Sequence, residues 1–148
     1  EIFYITTYTD SKGNTHTTYH YNDVIITKLD ANGELDWMQK LYKRSTSESF
    51  RQFSSENNLY VFFTSFGPKE VDGEVVENKV AAYVTAHKID SKSGEVKKLF
   101  LFTRGMIDGQ KVYQYSLSRI IAINENNWAV ELYIKKKKDR MFKLSFEE

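Results

Sequence analysis

Val24, Ile26 and Lys28 alternate with Ile25, Thr27 and Leu29, a β-branched run that suits a pleated, mostly buried strand. Asp30-Ala31-Asn32-Gly33 then turns the chain, because Asn and Gly tolerate the positive φ of tight hairpins, and Leu35, Trp37 and Leu41 return on one face. This hairpin, anchored by Trp37, sets the style of the rest. Ile2 to Thr9 has strand composition and ends at the turn formers Asp10 to Asn14. Thr15 to Tyr21 extends the strand that follows it, through a bulge at Tyr21 to Asp23. Beyond a polar connector at Lys43 to Glu48, Phe50 to Ser54 is a short strand. Leu59 to Phe66 is apolar on both faces, the mark of an inner strand.

Gly67 to Lys79 reads as an excursion holding an Asp72-Gly73 hairpin signal. Val80 to Asp90 and Glu95 to Thr103 form the next pair around the turn Ser91 to Gly94, and Arg104 to Gln110 is a loop. The pattern then continues through Tyr113 to Ile123, Trp128 to Ile134, a lysine turn and Arg140 to Phe146. The expected architecture is all-β: about ten or eleven strands in antiparallel meanders. The expected core is Trp37, Leu59, Val61, Phe63, Val84, Leu99, Leu101, Ile121 and Trp128.

Two segments repeat. Lys28-Leu29-Asp30-Ala31-Asn32-Gly33-Glu34 returns as Lys88-Ile89-Asp90-Ser91-Lys92-Ser93-Gly94-Glu95, with one residue inserted in the turn. Asn57-Asn58-Leu59-Tyr60-Val61 is echoed by Asn126-Asn127-Trp128-Ala129-Val130. Aligned on these echoes, the chain divides into a first meander without its first strand, a complete four-stranded meander from Phe50 to Thr103, and a third without its fourth strand. Residues 1–148 are thus expected to be a single propeller-like domain of about two to three blades, or the C-terminal fragment of a larger propeller.

The two Lys-aliphatic-Asp turns, the first leading through Gly33 to Trp37, resemble the repeat of pyrroloquinoline-quinone-like β-propellers. The likeness covers about a fifth of the chain and implies a kind of blade, with activity left open. Quinoprotein enzymes of that type imply an adjacent Cys pair, and this chain has no Cys, so no cofactor is carried over. The style also resembles propeller-like proteins of the bacterial envelope, which implies a periplasmic, cell-surface or secreted location.

Composition adds limits. At 148 residues, 41% hydrophobic and 28% charged, the chain is of ordinary globular make-up, and an aromatic content of 15% favours sheets. A formal net charge of +1 supplies no field for nucleic acid, and the Lys135 to Lys138 cluster reads as a solvated hairpin tip. No apolar run approaches a membrane span. Without Cys there is no disulfide, no thiolate metal site and no thiol nucleophile.

The candidate chemistry is a ligand-binding set: His16, Tyr19, His20 and Tyr21, beside Tyr4, Thr17 and Thr18, where flat rings and hydroxyls suit a carbohydrate or peptide. His16 and His20 share a strand face, with Asp10 or Asp23 near in sequence, yet nothing fixes a third ligand and no metal is expected. His87 reads as a packing residue. Asp30, Asn32, Glu34 and Asp36 alternate like a calcium loop, but Gly33 stands fourth where the EF-hand glycine stands sixth, and hairpin chemistry accounts for them. No nucleophile elbow, phosphate loop or acid–base pair is present, so no catalytic residue is assigned. The expected function is a non-catalytic binding or scaffold module, whose open edges associate with a second copy or with the rest of a larger propeller. The alternatives are a hydrolase on a propeller scaffold and a self-contained β-sandwich binding domain.

Overall fold

The computed structural model describes the backbone of residues 1–45, 50–71, 74–103, 106–107, 110–134 and 138–146, and the side chains of 1–43, 50–65, 84–99, 111–113, 115–134 and 139–146. All regular structure among them is strand. The chain forms two compact units, Glu1–Glu48 and Ser49–Glu148. Every strand pairing is antiparallel between sequence neighbours, as a meander requires.

The first unit holds one sheet, ordered β1 (Ile2–Thr9), β2 (Thr15–Leu29) and β3 (Leu35–Ser45). β2 is long enough to serve two partners in succession. Its first half pairs with β1, from Thr15 opposite Thr9 to Tyr21 opposite Phe3 and, past a register shift, Asp23 opposite Ile2, and its second half pairs with β3, from Tyr21 opposite Ser45 to Leu29 opposite Leu35. The ladder with β3 shifts register between Tyr21 and Asp23, where the turn-prone Asn22-Asp23 forecasts a bulge. Burial along β3 is graded: Leu35 is exposed, Trp37 half-buried, and Leu41 and Lys43 buried. Lys43, expected to open a polar connector, lies inside β3 at 0% exposure, with its Nζ donating to the Glu1 carboxylate and lying 5.5 Å from the Tyr21 ring centre. A buried ammonium persists only with such partners.

The second unit holds two four-stranded sheets. One is β4 (Phe50–Ser54), β5 (Asn58–Val71), β6 (Glu74–Asp90) and β7 (Val96–Thr103); the other is β8 (Met106–Ile107), β9 (Gln110–Asn124), β10 (Asn127–Ile134) and β11 (Lys138–Ser145). β5 is an inner strand with both faces covered: Tyr60 is 1% exposed, and Val61, Phe62 and Phe63 are 0%. The expected excursion at Gly67 to Lys79 is instead a continuation of β5 and β6 as a paired ribbon, from Gly67 opposite Asn78 to Val71 opposite Glu74. The Asp72-Gly73 turn lies outside the described residues, as does the lysine turn at 135–137. The expected loop at Arg104 to Gln110 contributes β8, which pairs Met106 with Lys111. It gives the last sheet a two-residue fourth member.

β10 alternates strictly, with Trp128, Val130, Leu132 and Ile134 buried and Ala129 and Glu131 half-buried on the other face. Its buried face packs on the neighbouring sheet of the same unit. The Trp128 ring centre lies 4.5 Å from Tyr60, 5.5 Å from Phe62, 6.4 Å from Phe53 and 4.9 Å from Phe146. Offset and edge-on contacts of this kind are the favoured geometries for rings. The Tyr60 hydroxyl donates to Asn126 Oδ1 at 2.8 Å, while the buried Trp128 indole N–H has no hydrogen-bond partner among the described residues.

Of the expected core, Val61, Phe63, Val84 and Trp128 are buried, Trp37, Leu59 and Leu99 are half-buried, and the Leu101 side chain lies outside the described set. Ile121 is the correction: it is 57% exposed, and Ile120 takes the core position at 1%. The pair is adjacent, so alternation fits either choice. Pairing decides: Ile120 lies opposite the buried Val130 and Ile121 opposite Ala129.

Candidate functional site

Three hairpins close on the same Asp-led turn. The amide of Gly13 donates to the Asp10 carbonyl at 3.0 Å, that of Gly33 to Asp30 at 3.1 Å and that of Gly94 to Asp90 at 2.9 Å. Each glycine is left-handed, with φ of 82°, 84° and 73°. The Asp carboxylate caps the turn from above: Oδ1 accepts from Lys12 and Asn14, from Asn32 and Glu34, and from Lys92 and Ser93 in the three copies. These bonds favour the ionised carboxylate. The His16 ring, then Asn14, holds Asp10 down at about 2, and backbone amides led by Glu34 and Ser93 hold Asp30 and Asp90 below the usual range. The calcium-like alternation is accounted for here, since the Asp30 oxygens serve the turn and Asp36 pairs with Lys28 at 2.8 Å.

The four ligand-binding candidates lie on the β1–β2 ribbon and divide between its faces. His16 and His20 share one face with Tyr8 and Tyr4, each imidazole stacked on the tyrosine opposite, at 4.8 and 4.5 Å between ring centres. His16 Nε2 contacts Asp10 Oδ2 at 3.1 Å, and His20 Nε2 contacts the Thr6 hydroxyl at 2.9 Å. Tyr19 and Tyr21 occupy the opposite face opposite Ile5 and Phe3, with Tyr21 6.0 Å from Phe3. The set therefore does not converge on one pocket. Four residues of extended chain separate the two histidines by about 13 Å, too far to share an ion. Asp23, the other acid considered for them, is buried and pairs with Lys40 at 2.9 Å. Among the described residues no group of three or more His, Cys, Asp or Glu is placed to hold a metal.

His87 stands in contrast. It is buried and stacked on Phe63 at 4.6 Å, and its burial, followed by the nearby Lys98 charge, pushes its pKa down to about 4. It is a neutral packing group.

A second candidate was hidden from the sequence. Where β9 meets β10, Ile120 lies opposite Val130 and Tyr115 opposite Leu132, so Ser116, Leu117, Ser118 and Arg119 all face the single residue Glu131. This bulge turns Leu117 into the core and leaves Ser118 and Arg119 exposed. Arg119 Nη1 donates to Glu131 Oε2, and the Ser116 and Ser118 hydroxyls meet at 2.7 Å. The result is a depression of about 180 Å³ lined by Tyr115, Ser116, Arg119, Glu131, Tyr133 and Asp139. The one sequence signal was the polar Ser-x-Ser-Arg stretch just before the apolar run Ile120 to Ile123.

Among the described residues no helix is long and apolar enough to cross a membrane. The class of protein defined so far is an all-β chain of antiparallel meander sheets. Comparison of the chain with protein-family models, curated protein sequences and solved structures finds no match.

Proposed function

We propose that the chain is a non-catalytic binding or scaffold module built from propeller-like blades of the pyrroloquinoline-quinone type, without the quinone. Support for the blade reading comes from the two Lys-aliphatic-Asp turns. One joins β2 to β3 and the other β6 to β7, in each case the last two strands of a meander, through the same set of turn hydrogen bonds. Sheets with open edges are completed by a second copy or by another partner.

The observation that carries the binding reading is the β1–β2 ribbon. Phe3, Tyr4, Ile5, Tyr8 and Tyr19 all stand exposed on a two-stranded arm, where rings add contact area for a ligand at little conformational cost. A carbohydrate chain or an extended peptide fits such a ladder of rings and hydroxyls. Titration of the chain with a panel of oligosaccharides and unstructured peptides, followed by nuclear magnetic resonance, is expected to shift the His16 and His20 signals, which share a face with Tyr4 and Tyr8. It is expected to fail with a Tyr4→Ser, Tyr8→Ser double variant of unchanged melting temperature. Turnover of any panel member, or binding untouched by the double variant, contradicts the proposal.

A further inference from the structure

We infer that the depression at the β9 bulge is a binding site for a single neutral sugar ring. Its charges are mixed and fixed: the Arg119 guanidinium lies against Glu131, with Asp139 also lining the depression. An anion entering it meets two carboxylates against one guanidinium that Glu131 already pairs. A neutral hydroxyl suffers no such penalty, because it donates to a carboxylate and accepts from a guanidinium at once. Neighbouring hydroxyls on one ring match this alternation of donor and acceptor. Arg119 has five N–H donors, and its bond to Glu131 uses Nη1, so the fork retains donors for a ligand. The Ser116 hydroxyl adds a group that serves either way.

The apolar side of the match comes from Tyr133. It is half-exposed, braced edge-on by Tyr113 at 6.4 Å, and set opposite Asp139 in the ladder. A pyranose carries its C–H bonds on its faces and its hydroxyls around the rim, so a ring on Tyr133 directs hydroxyls at the charged groups. A volume of about 180 Å³ has room for one ring. The bulge is what makes the site, since regular pairing places one residue, not four, opposite Glu131.

The assignment rests on the binding-module reading only in taking the sugar to be held and not cleaved. The test is a magnetic resonance titration of the full chain with the methyl glycosides of glucose, galactose, mannose and N-acetylglucosamine. At least one is expected to shift the Arg119 side-chain and Tyr133 signals, with a dissociation constant on the order of millimolar, as for other ligands of that size. Glu131→Gln, which keeps the shape, and Tyr133→Leu are each expected to weaken binding by about tenfold. Glucuronate is expected to bind less well than the neutral glycosides. Absence of shifts at saturating sugar, or shifts unchanged in both variants, overturns the site. Shifts confined to the β1–β2 ribbon overturn it too while sparing the module reading, whereas release of methanol from a bound glycoside upholds the site and contradicts the non-catalytic reading.

Discussion

The β1–β2 ribbon and the β5–β10 core are made of the same residue types and meet opposite fates. Tyr8 on the ribbon is 61% exposed and Tyr60 in the core 1%. Both stand on strands beside an aromatic partner, at 4.8 Å for Tyr8 with His16 and 4.5 Å for Tyr60 with Trp128. The difference is in what lies above them. A second sheet covers Tyr60, while the ribbon is two strands wide, since β3 pairs only with the far half of β2. Strand composition therefore selects the local conformation, and neighbours distant in sequence select burial.

The sharpest way to break this contrast is to delete the ring at the centre of each region. Trp128→Ala removes a side chain packed against Phe53, Tyr60, Phe62 and Phe146, and is expected to destabilise the chain by about 3–5 kcal/mol in urea unfolding. Tyr8→Ala on the exposed ribbon is expected to change stability by no more than about 0.5 kcal/mol. Equal losses would mean the ribbon is structurally part of the core.

Acid titrates the core through His87. Its native pKa of about 4 lies below the ordinary 6.5, so the unfolded chain takes up this proton first. The stability it supports is complete above about pH 6.5, declines as pH falls toward 4 and declines no further below, a change of roughly 3 kcal/mol. Unfolding free energies measured across that window are expected to flatten in His87→Gln. A decline of unchanged steepness in the variant would assign the acid sensitivity elsewhere. Asp10 on the ribbon acts in a lower window, because its stabilised carboxylate is lost only as pH falls from its ordinary 3.8 toward 2.

The smallest effects come from the turns. A Cβ at Gly33 or Gly13 meets nothing within 4 Å, so an alanine there is opposed by left-handed backbone strain alone, about 1–2 kcal/mol. Gly33→Ala, at the hinge between β2 and β3, is expected to lower the unfolding midpoint, and Gly33→Asn to recover part of the loss. Gly13→Ala, at the ribbon tip, is expected to speed hydrogen exchange in β1 with little change in the midpoint. An equal midpoint shift in both would place the ribbon within the cooperative unit.

Local chemistry made much of this fold legible. The Asp, Asn and Gly clusters mark the described hairpins, the Asn22-Asp23 pair marks the register shift in β2, and the two-faced apolar run marks β5 as an inner strand. The turn at Asp10 was readable as a turn, but its kinship with those at Asp30 and Asp90 emerges only from the shared hydrogen bonds. What stayed hidden depends on pairing between strands. Ile120 and Ile121 exchange roles with a one-residue change of register, Lys43 is buried by partners far along the chain, and the Ser116–Arg119 bulge exists only relative to β10. The ribbon set was legible as residues and illegible as a site, because alternation sends Tyr19 and Tyr21 to the face away from His16 and His20.

The central claim is that these sheets end in open edges which a second copy or another partner covers. Among the described residues β4, β7 and β11 each pair with one neighbour. Hydrogen exchange read together with sedimentation across a concentration series tests this most directly. The expected result is association that rises with concentration, with outward-facing amides of β4, β7 and β11 exchanging fast when dilute and slowing as the assembly forms. A monomer at every concentration whose edge amides are already protected would contradict it.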